Sequence, residues 1–134
     1  MPHQRNIYKG EPARAWLRLQ LNRRVGDSVE REFLVDTGNP CALIISQSLL
    51  GEMLWRESFA VDSNFGPLGA GWLSVTVPEA GDEFKILGYA NDAVVQVVQR
   101  SDSAFDGLVG LPLLRLLRYG GDQGYFWVEN ALSK

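Results

Sequence analysis

The chain of 134 residues has few of the side chains on which several classes of active site depend. It contains one cysteine, Cys41, so it cannot form an internal disulfide, and nothing in it calls for an oxidising compartment. Its single histidine, His3, lies in the predicted N-terminal tail, so we expect neither a Ser-His-Asp triad nor a histidine-based metal site. We therefore expect neither a metal nor a cofactor.

Runs of basic residues and long apolar runs are also scarce. The formal net charge is −3, and the lysines and arginines form no run that would create a phosphate-binding surface. No segment approaches the about 20 apolar residues of a membrane span, and the N-terminus lacks the apolar core of a signal peptide. We expect a cytoplasmic protein that binds neither nucleic acid nor membranes.

What the chain does contain is a series of short strands and turns. Leu17, Leu19 and Leu21 alternate with polar or partly polar neighbours, which is the period of a half-buried strand. A turn at 26–27 and a second alternating run over 29–35 complete a predicted hairpin. We predict an N-terminal tail over 1–13 and one domain over 14–134.

The rest of the chain predicts a mainly β protein with two helices. Ser46 can cap a brief helix, and Pro112 can begin a clearer one near the C-terminus that stops at Gly120. Further strands are predicted at 42–45, 59–61, 72–77, 84–87, 94–98 and 125–129.

The predicted hairpin ends in Asp36-Thr37-Gly38, within FLVDTG at 33–38. A triplet of this kind arises by chance in about one chain of this size in a few dozen. Taken alone, it is more often a turn than a catalytic loop. Its interpretation depends on the elements that follow it.

Three elements in this order resemble the retropepsin-like aspartic proteases. They are FLVDTG (33–38), a glycine-rich FGPLGAGW (65–72) similar to that family's flap, and GLVGLPLL (107–114), similar to the apolar-apolar-Gly element before its helix. The resemblance covers residues 14 to 129 and implies a closed, mainly β, retropepsin-like barrel. It also implies an aspartic endopeptidase that hydrolyses peptide bonds.

The resemblance assigns roles to individual residues. Asp36 is the catalytic carboxylate, Thr37 ties two such loops together, and Gly38 lets the backbone approach the carboxylates. Residues 66–72 form the flap, and the apolar cleft implies a preference for hydrophobic side chains. The substrate-binding residues it implies are Asn39, Gly66, Leu68, Gly69, Ala70, Gly71, Trp72, Leu108 and Val109.

The chain carries only one Asp-Thr-Gly, whereas the family's chemistry needs two carboxylates that share a proton. The resemblance therefore implies a homodimer with a two-fold axis between two copies of Asp36. Residues 125–129 either interleave across that dimer or form an internal strand. A non-catalytic peptide-binding or adapter module on the same fold remains an alternative, as does a monomer whose Asp36 is inert until paired.

Two residues after the triplet leave alternatives open. The Asn39 amide either donates a hydrogen bond to a carboxylate, favouring its ionised form, or only stabilises the loop. Cys41 is either a redox switch beside the site or a small apolar filler.

Overall fold

The computed structural model describes residues 3–63, 66–81 and 83–131, and it is mainly β. In chain order its elements are β1 (His3–Ile7), β2 (Trp16–Asn22), β3 (Val29–Asp36), β4 (Leu43–Ile45), α1 (Gln47–Met53), β5 (Arg56–Ser63), β6 (Gly66–Thr76), β7 (Glu83–Ala90), α2 (Asp92–Ser101), β8 (Phe105–Gly110), α3 (Leu111–Leu114), β9 (Leu117–Gly121) and β10 (Tyr125–Asn130). These strands form a seven-stranded sheet and a three-stranded sheet.

The larger sheet closes into a six-stranded barrel. Its order is β2-β3-β8-β4-β7-β6, and β6 returns to pair with β2, while β5 continues outward from β6. The predicted hairpin is confirmed, because β2 and β3 pair antiparallel, with Leu17 opposite Phe33. Leu17, Leu19 and Leu21 are fully buried in the main core. Each buried side chain of this size stabilises the fold by about 1.5–3 kcal/mol.

Strand β8 lies between β3 and β4 in the barrel. It runs parallel to β3, with Leu34 opposite Leu108 and Asp36 opposite Gly110. It runs antiparallel to β4 on its other side. A Cβ atom at Gly110 would lie 1.9 Å from the Cys41 carbonyl oxygen, so only glycine fits where the chain passes this loop.

The smaller sheet corrects the predicted N-terminal tail. Residues 3–7 form β1, which pairs with β10 over its whole length. The side chains of Gln4 and Asn6 are buried and bind the backbone of β2, through Arg18 O at 3.0 Å and Trp16 O at 3.1 Å. The sequence pattern does not reveal this strand because buried amides, not apolar side chains, attach it to the barrel.

Strand β10 is an internal strand of its own chain. Its two neighbours, β1 and β9, both belong to the same chain and occupy both of its hydrogen-bonding edges. Of the two alternatives for residues 125–129, the structure therefore shows the internal strand. The segment does not form the strand that would interleave across a dimer.

The helices agree with the sequence prediction in one case and differ in two. Helix α1 begins after Ser46, whose hydroxyl accepts a hydrogen bond from Leu49 N at 3.0 Å, as predicted. Residues 94–98 are part of α2, not a strand, because Asn91 caps that helix by accepting from Val94 N at 3.0 Å. The spacing of the buried Val95 and Val98 agrees with a helix.

The C-terminal helix is shorter than predicted. Helix α3 has 4 residues, and Leu117 begins β9 instead of continuing it, so Gly120 lies inside a strand and does not end the helix. The pairing of β9 with β10 prevails over the local helical preference of the leucines. Within the described ranges, no helix is long and apolar enough to cross a membrane.

Candidate active site

Asp36 is the last residue of β3 and is exposed to solvent, as are Thr37 and Gly38. The loop folds back on the carboxylate, because Gly38 N donates a hydrogen bond to Asp36 Oδ1 at 3.1 Å. Asn39 N donates to the Asp36 carbonyl at 3.1 Å. The three residues expected to be catalytic therefore form one turn at the surface of the barrel.

A cavity of about 780 Å³ opens beside Asp36. Its lining comes from the ends of β3 and β8, from α2 and from residues 11–14, and it includes two arginines and a glutamate. Its lining includes Leu34, Val35, Asp36, Val94, Val97, Val98, Leu108, Glu11, Arg14 and Arg100. The result is an apolar hollow with an exposed carboxylate at its edge.

The two residues expected to line an apolar subsite are separated by the pleat of β8. Leu108 lies in the cavity beside Asp36, as expected. Val109 points the other way and is 0% exposed in the main core. Successive side chains of a strand face opposite sides, and a side chain with no exposed surface cannot contact a ligand in this cavity. The expectation for Val109 is therefore wrong.

The residues expected to form a flap belong to a real hairpin, made of β5 and β6. Gly66 pairs with Ser63 and Leu68 with Val61 in its backbone ladder, and residues 64–65, between the two strands in the sequence, lie outside the described residues. For the outer part of this hairpin, the backbone pairing is therefore the feature that the structure describes.

Inner residues of that hairpin line cavities other than the one beside Asp36. Gly69 and Ala70 line a separate cavity against α1. Trp72 lines a third cavity, with Trp55. Gly71 packs against α1 as well, since a Cβ atom there would lie 3.2 Å from Leu54 Cβ.

Asn39 stabilises its own loop and does not contact the carboxylate. It is 6% exposed, and its side-chain oxygen accepts from Cys41 N at 3.0 Å. Its amide nitrogen is buried and has no hydrogen-bond partner in the part of the chain described. The hypothesis that this amide donates to Asp36 is therefore not supported in the single chain, and the loop-stabilising alternative is what the contacts show.

Cys41 behaves as a partly buried apolar residue. It packs against a small core cluster that contains Leu34 and Ile44. Burial raises the pKa of its thiol, which disfavours the reactive thiolate. Of the two alternatives, these surroundings favour the filler.

Sequence reasoning missed the helical wall of the cavity. Val94, Val97 and Val98 fall in a predicted strand, and the sequence gives Arg100 no role, yet all four line the cavity from α2. The available signal was Asn91-Asp92 before the valines, which combines a capping residue with an acidic first turn.

Another carboxyl group has a perturbed environment but lies elsewhere on β8. Burial raises the pKa of Asp106, although Arg31 Nε lies 3.5 Å from its carboxylate and opposes the shift. This group forms an ion pair at the opposite end of the β3–β8 ladder from Asp36.

Neither a metal site nor a similar protein identifies the chemistry of this cavity. Among the described residues, no three histidine, cysteine, aspartate or glutamate side chains come together as a possible metal site. Searches against protein-family models, curated proteins and solved structures find no match to the chain.

Proposed function

We propose that the chain is an aspartic endopeptidase with a retropepsin-like fold, which acts as a homodimer through the paired carboxylates of two Asp36 residues. The observation that supports this most is the position of Asp36-Thr37-Gly38. The triplet is exposed at the end of a barrel strand, opposite Gly110, and beside an apolar cavity.

The proposed chemistry needs two carboxylates that cannot both ionise because they lie close together. One Asp36 is ionised and removes a proton from a water molecule, whose oxygen attacks the peptide carbonyl carbon. The protonated partner donates a hydrogen bond to the carbonyl oxygen. Collapse of the tetrahedral intermediate breaks the C–N bond, and the leaving amine takes the proton that the first Asp36 removed from water.

The cavity supports a hydrophobic side chain next to the bond that is cut. Its walls are formed by leucines and valines, and Asp36 lies at its edge. An extended peptide gains affinity from backbone pairing and specificity from pockets for alternate side chains. Arg14, Arg100 and Glu11 in the lining are placed to contact polar parts of the same peptide.

A second candidate is a peptide-binding module that does not cut. The same apolar cavity supports it, and so does the presence of only one exposed Asp-Thr-Gly in each chain. The two functions differ in what they require of Asp36: only the protease needs its ionisable oxygens.

The test is cleavage of a mixed peptide library from acid to neutral pH by the purified protein and two variants. Asp36→Asn should lower the rate by about 100- to 10,000-fold, because it removes an acid–base group. Asp106→Asn is the matched control, since it removes a carboxylate from the same ladder without touching the cavity, and it should retain activity.

Equal unfolding temperatures for the wild type and Asp36→Asn would show that the loss is chemical, as expected for an exposed side chain. The cleaved bonds should have apolar flanking residues, and a preference for charged ones would contradict the assigned pocket. Peptide binding without cleavage by the folded, dimeric wild type would reject the protease and favour the binding module.

A further inference from the structure

In the described ranges, three strands have a free hydrogen-bonding edge: β5 at the end of the larger sheet, and β1 and β9 at the two ends of the smaller one. Free edges pair with other chains unless charges, bulges or covering elements prevent it. The three edges therefore differ in how far they are protected.

Two of the three are protected. Strand β5 begins with Arg56 and Glu57, both exposed, and its register shifts between Ser58 and Val61. At the edge of β1, the carbonyl oxygen of Ile7 already accepts a hydrogen bond from Trp16 Nε1 at 2.7 Å. Charge and irregularity in the first case, and a side chain bound to the edge in the second, make these edges poor templates for pairing.

Strand β9 has none of these devices. It contains no proline, and its one charged residue, Arg118, is paired with Glu129 on β10 at 3.2 Å. Gly120 and Gly121 present no side chain that would block an approaching strand. The β9 edge is therefore open.

Apolar surface is also left uncovered at this edge. Tyr119 lies opposite the buried Val128 and beside Phe126, with ring centres 6.2 Å apart, so it is on the core side of the sheet. Tyr119 is nevertheless 37% exposed. Leu116, the residue just before β9, is 40% exposed. An aromatic ring on the core side stays exposed here because no strand follows β9 on that side.

The backbone groups that point to the open edge can be identified. Asp122 N donates to Tyr125 O at 3.0 Å, which makes these two opposite residues a hydrogen-bonded pair. Such pairs alternate with non-bonded pairs along an antiparallel ladder. Leu117, Tyr119 and Gly121 are therefore the residues whose N–H and C=O groups point away from β10.

We propose that β9 pairs antiparallel with β9 of a second copy, about a two-fold axis at Tyr119, and so joins two three-stranded sheets into one of six strands. This interface deepens the proposed function and rests on it, because a site built on one Asp36 per chain is incomplete without the second copy. A two-fold axis makes the same edge complementary to itself.

The sequence of β9 suits this register. With Tyr119 opposite its own copy, Arg118 lies opposite Gly120 and Leu117 lies opposite Gly121, so no two like charges face each other. An axis at Arg118 would place two guanidinium groups directly opposite, which is destabilising. The axis at Tyr119 is also the one that pairs all five residues of the strand.

The same edge is physically connected to the Asp36 loop. Gly110 lies opposite Asp36, and α3 follows it directly, with Leu111 N donating to Asn39 O at 3.2 Å. Helix α3 spans only about 6 Å, and β9 begins just after it. Joining two β9 edges therefore positions the two Asp36 loops relative to each other.

The decisive variant is Tyr119→Pro. Proline removes the N–H that points to the open edge but none of the bonds to β10, so the chain should still fold. Sedimentation over a concentration series should show a dimer for the wild type, and a dissociation constant raised about 30- to 100-fold or more for Tyr119→Pro, because two backbone bonds across the axis are lost. Tyr119→Val keeps the N–H and should remain closer to the wild type.

Amide hydrogen exchange of the wild type tests the interface without any variant. At concentrations that favour the dimer, exchange at Leu117, Tyr119 and Gly121 should slow, while Arg118 and Gly120 are already protected by β10. A dimer that persists in Tyr119→Pro, a dimer without protection at those three amides, or a wild type that is monomeric at every concentration would overturn the interface.

Peptide cleavage measured on the same samples separates this interface from the proposed function. A dimer that depends on Tyr119 but never cleaves keeps the interface and rejects the protease. Cleavage that depends on Asp36, by a protein whose Tyr119→Pro variant still forms dimers, keeps the protease and rejects the interface.

Discussion

The two ends of the ladder between β3 and β8 each carry an aspartate, in opposite surroundings. At one end Asp106 is partly buried and paired with Arg31 at 3.5 Å. At the other end Asp36 is exposed, lies opposite Gly110, and forms no ion pair within the described residues. We call these the ion-pair end and the Asp36 end.

The difference shows how one pair of strands can hold the same kind of side chain in two environments. The ion-pair end compensates its carboxylate with a neighbouring cation, which suits a structural role. The Asp36 end leaves its carboxylate uncompensated and places an apolar cavity next to it. A perturbed pKa, as at Asp106, can therefore accompany a structural ion pair and does not by itself indicate a reactive group.

The largest expected effect comes from filling the space at the Asp36 end. Gly110→Ala would place a methyl group 1.9 Å from the Cys41 carbonyl oxygen and 2.6 Å from that of Asn39. We expect a loss of about 3 kcal/mol or more in the free energy of unfolding, because backbone atoms cannot move aside cheaply. Denaturant unfolding measures this.

Gly51→Ala is the matched control for that variant. Gly51 lies in α1, and a Cβ atom added there would meet no neighbouring group within 4 Å, so alanine should stabilise the helix by about 0.5–1 kcal/mol. Similar losses in both variants would mean that Gly110 is not constrained by the loop around Asp36.

A smaller effect is expected from the helical wall of the cavity at the Asp36 end. Asn91→Ala removes the cap that accepts from Val94 N at 3.0 Å, and should cost about 1 kcal/mol. Thermal unfolding measures the loss. If the cavity binds substrate, the variant should also raise KM more than it lowers kcat, and an unchanged KM would argue against this wall as a binding surface.

The smallest effect is expected at the ion-pair end and depends on pH. Burial raises the pKa of Asp106 above its ordinary value of 3.8, so the folded chain holds a proton that the unfolded chain has lost. The contribution of Asp106 to stability should therefore fall as pH rises from 3.8 through its folded pKa. Asp106→Asn should remove this fall, with a change below about 1 kcal/mol because Arg31 compensates part of the cost.

Unfolding midpoints measured from pH 3 upward, at about one-unit steps, would resolve this slope. A wild-type stability that rises over the same interval, by an amount that Asp106→Asn removes, would show that the ion pair with Arg31 outweighs burial.

Local pattern predicted the elements whose information lies within a few residues. The alternating leucines of β2, the turn to β3 and the Ser46 cap of α1 are all found in this way. The valines of α2 mislead because β-branched residues favour strands on average, although the Asn91 cap was there to be recognised. The leucines after Pro112 predict a helix that is too long. Leu117 instead begins β9, which is held by its long-range pairing with β10.

The features of the candidate site also differ in whether nearby residues or distant contacts set them. The sequence already shows that one Asp-Thr-Gly follows an apolar strand, since this is a property of consecutive residues. The folded structure is needed to see that Leu108 faces the cavity and Val109 the core, that α2 forms a wall of the cavity, and that β9 has an open edge. These features depend on which distant strands pair, and that is set by the packing of the whole barrel, not by the residues nearby.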